Sequence, residues 1–189
     1  RDPNSMLRRI YVWAYSLFGG TVTVIIVIGL IVYETLEWLI GVPGQASAAF
    51  HFDFLPGAVA SLIVSMGVVT VHYAVIVRDR ASHGTEHQQS TYKSYRYGLA
   101  AAGLVILISG VSTTVALLLS MLSGITAGES LAGDRSSSNV VAQIVTLVGL
   151  GASLWGYFWW QAQREASGGD SAAINALPRR VFIFGVLGA

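Results

Sequence analysis

Apolar residues in this chain run in long unbroken stretches rather than in one-sided stripes. Four stretches, at about residues 11–33, 55–77, 98–122 and 140–160, contain no Asp, Glu, Lys or Arg. A hydrocarbon core about 30 Å thick takes roughly 20 helical residues at about 1.5 Å each, so all four are long enough to cross it. They lack the period-two alternation of half-buried strands and exceed strand length. Segments such as 21–32 and 104–119 are apolar on every face. A helix of that kind is covered either by protein on all sides or by lipid. Four such helices cannot cover one another completely, so lipid is the simpler solvent. The pattern predicts an all-α, polytopic integral membrane protein with four transmembrane helices and the start of a fifth.

Basic residues then orient the spans. Ten of the eleven fall on one side: Arg1, Arg8 and Arg9, then Arg78, Arg80, Lys93 and Arg96, then Arg164, Arg179 and Arg180. Only Arg135 falls on the other, beside Glu34, Glu37, Asp53, Glu129 and Asp134. The positive-inside rule places the N-terminus and the second and fourth connections in the cytoplasm. Tyr11, Trp13, Tyr73, Tyr95, Tyr97, Trp155, Trp159 and Trp160 mark that interface, and Tyr33, Trp38, Phe52 and Phe54 the opposite one. Arg9, Arg78, Arg80, Lys93, Trp159, Trp160, Arg164 and Arg180 are the expected interface anchors, with anionic lipid headgroups as their partners.

Composition agrees and narrows the function classes. Hydrophobic residues make up 53% of the 189 and charged residues 11%. Soluble domains carry about 25% charged residues, and disordered chains are rich in charge and poor in apolar residues. A net charge of +1, with no basic stripe, argues against nucleic acid as a partner. With no cysteine, the chain has no disulfide, thiolate metal site or cysteine nucleophile.

A short pattern recurs along the chain. Arg9-Ile10-Tyr11-Val12-Trp13, Lys93-Ser94-Tyr95-Arg96-Tyr97-Gly98 and Arg180-Val181-Phe182-Ile183-Phe184-Gly185 each set a basic residue before two spaced aromatics and an apolar run. Their offsets are 84 and 87 residues, and His72-Tyr73 with Arg78 aligns with Phe158-Trp159 and Arg164 at an offset of 86. This predicts two-helix repeats at 9–92 and 93–179, after an N-terminal cytoplasmic segment at 1–8. Each repeat holds an even number of spans, so copies keep one orientation, the parallel kind of repeat. A third copy opens at 180–189, and its helix is expected to continue past Ala189 to complete a fifth span.

The repeat resembles the bacterial membrane family catalogued as domain of unknown function 5671. In that family a His-Trp-Arg-like signature closes an even-numbered helix, and a basic-aromatic opener starts the next. His72-Tyr73 with Arg78 resembles the signature, with Tyr for Trp and Ala74 in place of the first Arg. Trp159 with Ala162-Gln163-Arg164 resembles it again, but Phe158 replaces the His and Trp160 the Arg. The resemblance implies a helical protein of the bacterial plasma membrane and no particular reaction. The missing second His counts against a paired-histidine cofactor site.

Individual residues suggest further chemistry. His83-Gly84-Thr85-Glu86-His87 has the H-x-x-E-H spacing of a zinc peptidase helix, which needs both His on one helix face and a third ligand downstream. Gly84 weakens any helix there, so the sequence favours a solvated loop, with His83, Glu86 and His87 at most an adventitious metal site. His72, inside the second span, has the position of a haem or chlorophyll-type pigment ligand, or of an interfacial histidine bonded to a neighbouring helix. Glu34 and Glu37 share a helix face at the end of the first span, placed either as solvated charge or to bind a cation or a partner's Arg. Gly57, Ser61 and Ser65, Gly110 and Thr114, and Gly149 and Ser153 repeat at four-residue spacing, which allows close helix packing. Ser112, Thr113, Thr114 and Gln143 are candidate interhelical hydrogen-bonders.

The sequence thus predicts a non-catalytic membrane protein without a cofactor, a structural or accessory subunit packing against other membrane-protein subunits. A small-solute transporter is the first alternative, although the spans lack mid-membrane charge and helix breakers. A haem- or pigment-binding electron-transfer subunit using His72 is the second.

Overall fold

The computed structural model describes residues 18–41, 47–83, 86–123 and 137–167. They are helical, with no strand among them: α1 (Gly20–Ile40), α2 (Ala48–His51), α3 (Leu55–His83), α4 (Glu86–Ser123) and α5 (Ser137–Ser167). Four segments are long and apolar enough to cross a membrane, namely Gly20–Ile40, Ala48–Val75, Tyr95–Leu122 and Ser137–Arg164. Protein covers little of them: 6% of the most apolar stretch of the first two, 17% of the third and 22% of the fourth. Large side chains such as Ile63, Val64, Val105, Leu118 and Leu122 point outward. Water would not tolerate so much exposed apolar surface, whereas lipid tails accept it. The chain is a multi-pass membrane protein.

The helices outrun the apolar stretches that identify them. The first continues seven residues past Tyr33 to Ile40, carrying Glu34 and Glu37 within its last two turns. The start of the first predicted span at residue 11 and the whole third copy at 180–189 lie outside the described residues, as do Arg9 and Arg180. The helix of the third span, α4, begins at Glu86, well before Gly98. Polar residues at these ends cost little in a helix, because hydropathy marks the bilayer and the backbone ladder continues into the interface.

Among the long helices, α1 packs on both α3 and α5, and α5 packs in turn on α4. The α4–α5 interface is the most extensive. Backbone proximity explains the strength of the α4–α5 seam. A Cβ added at Gly103 would lie 2.5 Å from the Trp155 nitrogen and 2.8 Å from Leu154 Cβ. From the other side, one added at Gly151 would lie 2.6 Å from Leu107 Cα. Only glycine lets the two backbones approach this closely, which is how helices associate where lipid removes any hydrophobic gain. Leu99, Ala100, Val140 and Ala142 are buried along the same pair, and Leu117 packs with Val140 and Ile144.

The seam uses only part of the predicted small-residue pattern. Gly110 lies in it, with Val148 Cγ2 2.8 Å from where its Cβ would be. Thr114 is half-buried beside it, and Ser65 on α3 lies near Gly20 of α1. Gly57, Ser61, Gly149 and Ser153 instead face away from the other helices, with open space around Gly57 and Gly149. The reason is angular. Gly149 and Gly151 are two residues apart, about 200° around the helix, so Gly151 facing α4 turns Gly149 outward.

Hydroxyl groups mostly serve their own helices. Thr113 and Thr114 donate to the carbonyls of Ser109 and Gly110 at 2.9 and 2.8 Å, not across to a neighbour as expected. Ser153 does the same to Gly149 at 2.7 Å. The i−4 carbonyl is the nearest acceptor, and in lipid it satisfies the hydroxyl without any tertiary contact.

Candidate functional site

Polar side chains that join different helices gather where α1 ends. Glu34, Glu37 and Trp38 stand on its last two turns, His51 closes the short α2, and Asn139 lies in the first turn of α5. α2 is built locally: the amides of Phe50 and His51 donate to the Ser47 carbonyl at 3.1 and 3.0 Å, and that of Phe52 to Ala48 at 3.0 Å. This turn lays the His51 ring on α1.

His51 is only 8% exposed. Its Nε2–H donates to the Glu34 carbonyl oxygen at 3.0 Å, and the same nitrogen lies 3.4 Å from Glu34 Oε2. A carbonyl can only accept, so the hydrogen on Nε2 is fixed by its partner. Trp38 and Phe52 flank the ring, with centroids 5.1 and 4.8 Å away and Phe52 edge-on. One turn further along α1, Glu37 Oε1 accepts a hydrogen bond from Asn139 Nδ2 at 2.7 Å. Asn139 is itself buried, at 8% exposed. Each carboxylate of α1 therefore ties down a different element, Glu34 the α1–α3 connection and Glu37 the start of α5. Placed this way, the pair is engaged within the chain.

Neither His51 nor Asn139 stood out in the sequence. His51 sits in a polar connection, and Asn139 borders an apolar run like any helix-end amide. The one available signal was Glu34 and Glu37 sharing a face, which implied partners without naming them.

At the opposite end of α1, Thr21 and Tyr95 of α4 share a hydrogen bond between hydroxyls at 2.7 Å. Arg96, counted with the basic connection, is instead 5% exposed within α4. Among the anchors, the Arg164 guanidinium lies 5.4 Å from the Trp160 ring centroid, a cation–π contact. Arg78 is exposed and Trp159 half-buried.

His72 is half-buried on α3, and its Nδ1–H donates to the Val68 carbonyl of its own helix at 2.8 Å. A carbonyl can only accept, so that bond fixes a hydrogen on Nδ1. His83 closes α3 while Glu86 and His87 open α4. Gly84 and Thr85 between them lie outside the described residues, as do the side chains of Arg80, His83, Glu86, His87 and Lys93. Among the described residues, no three His, Asp or Glu side chains gather as a metal site requires.

Comparison with protein-family models, with curated proteins and with solved structures finds no match to the chain.

Proposed function

We propose that this protein is a non-catalytic subunit of the bacterial plasma membrane, built from parallel two-helix repeats, with its N-terminus in the cytoplasm. On this reading it packs against other membrane proteins. The observation that carries the reading is the outward-facing set of small residues. Gly57 and Ser61 on α3, and Gly149 and Ser153 on α5, have the spacing that admits a close helix, yet none of the described helices lies against them. A membrane surface needs no such grooves to meet lipid, but a second membrane helix does. The pairing of α1 with α3 and of α4 with α5 supports the repeat, and the motif resemblance to the family of domain of unknown function 5671 supports the setting. Arg78, Arg164 and Trp160 then serve as interfacial anchors for anionic headgroups.

Purification from native membranes in mild detergent tests this. A companion membrane protein is expected to co-purify, and Gly57→Leu or Gly149→Leu to lower its recovery while leaving this chain folded. Isolation of the chain alone, in every mild detergent, would defeat the subunit reading.

The place of His72 within the second span, with its Nδ1–H bonded to its own helix, supports a second reading, a haem- or chlorophyll-binding electron-transfer subunit. It predicts a Soret or near-infrared band in protein from native membranes that disappears in His72→Ala. A purified protein with no absorption beyond its aromatic residues rejects it.

A further inference from the structure

The end of α1 holds two carboxylates and, among the described residues there, one group able to carry positive charge. Glu34 and Glu37 approach from α1, and Asp53, exposed, follows α2. α5 contributes Asn139, which does not titrate, and the first turn of α3 (Leu55, Pro56, Gly57) contributes no ionisable group. The single basic group is the imidazole of His51, buried against Trp38 and Phe52 with its Nε2 between the carbonyl and the carboxylate of one residue, Glu34.

This geometry accepts a proton without rearrangement. In the neutral ring, Nε2–H already donates to the Glu34 carbonyl. In the protonated ring that bond remains, and a full positive charge now faces Glu34 Oε2 at 3.4 Å in a site largely shielded from water. Low effective dielectric strengthens the attraction, and the charge also offsets repulsion between Glu34 and Glu37, three residues apart on one helix face. The backbone hydrogen bonds of α2 are internal to it, so its hold on α1 runs through side chains, the His51 ring on Glu34 and Trp38 and the Phe52 ring on Trp38.

We propose that His51 is a proton-responsive latch: protonation draws α2 onto α1 through Glu34, and deprotonation loosens the connection between α1 and α3 while the spans stay intact. The ion pair with Glu34 Oε2 exists only while the ring carries its second proton. The latch is independent of the subunit reading, since it acts within one chain.

Distance measurement between spin labels tests the latch. The chain has no cysteine, so Ala49→Cys on α2 and Ser137→Cys on α5, both exposed, label uniquely. In lipid nanodiscs the distance distribution is expected to be narrow at about pH 5.5 and to broaden at about pH 8. Glu34→Gln and His51→Gln should each abolish that broadening. Identical distributions at both pH values in the otherwise unaltered protein would overturn the proposal. So would broadening that survives in either variant. The first comparison alters no residue of the cluster, so it stands even where a variant folds poorly.

Discussion

Gly151→Leu is expected to separate α4 from α5 and to lower the stability of the protein in detergent by about 3 kcal/mol or more, at or above the upper end of ordinary overpacking. The obstacle is backbone. A Cβ at this position would meet the Leu107 nitrogen and lie 2.6 Å from Leu107 Cα and 2.9 Å from its Cβ. A crowded side chain can change rotamer, but these atoms move only if the helices part. Parting them also weakens the contacts at Gly103 and Gly110, which lie along the same seam. Gly149→Leu makes the matched control. It adds the same side chain on the same helix, where no atom lies within 4 Å, and should change stability by less than about 0.5 kcal/mol. Thermal unfolding of the two variants in one detergent checks the pair. Equal stabilities would show that the two backbones are not in close contact at Gly151.

That contrast marks how far the sequence could be read. The four spans were visible because lipid imposes a simple rule, an apolar run of sufficient length, and each long helix contains or overlaps its predicted run. Small residues at four-residue spacing were visible too, as one face of a helix. The rotation of that face was not. Gly149–Ser153 reads in sequence as well as any seam pattern, yet the seam falls on Gly103, Gly110 and Gly151. Which side of a helix meets its neighbour depends on the neighbour, and every face of these helices is apolar enough to point anywhere. Periodicity is therefore uninformative here, although it would place the core face in an amphipathic helix.

The polar cluster was hidden for a different reason. Glu34 and Glu37 look like the solvated end of a span, because the apolar run stops at Tyr33 while the helix continues to Ile40. Their partners come from 17 and 102 residues further along, His51 and Asn139. No local pattern encodes a contact between two chain segments so far apart. The topology brings them together, since α1 packs on both α3 and α5, and its end receives the connection to α3 and the start of α5. The same position makes α1 the helix through which the two hairpins are joined.

The Glu37–Asn139 hydrogen bond is therefore expected to hold the two hairpins together at that end, and the cost of breaking it should depend on how it is broken. Glu37→Leu takes the Oε1 acceptor, at 2.7 Å, from an amide that is 8% exposed. A buried polar group deprived of a partner loses about 1–3 kcal/mol, and interhelical hydrogen bonds in membranes lie toward the lower part of that range. Asn139→Leu deprives a carboxylate instead, and hydrogen bonds to charged groups are the stronger kind. It should be the more damaging single change. The double variant Glu37→Leu with Asn139→Leu removes donor and acceptor together and sets two apolar side chains side by side. Replacing both partners in this way is close to neutral in energy, so the double variant should be more stable than Asn139→Leu alone. Thermal unfolding of the four proteins gives the coupling directly as the departure from additivity, expected at roughly 1–2 kcal/mol. Strict additivity would mean that the bond contributes nothing to the union of the hairpins.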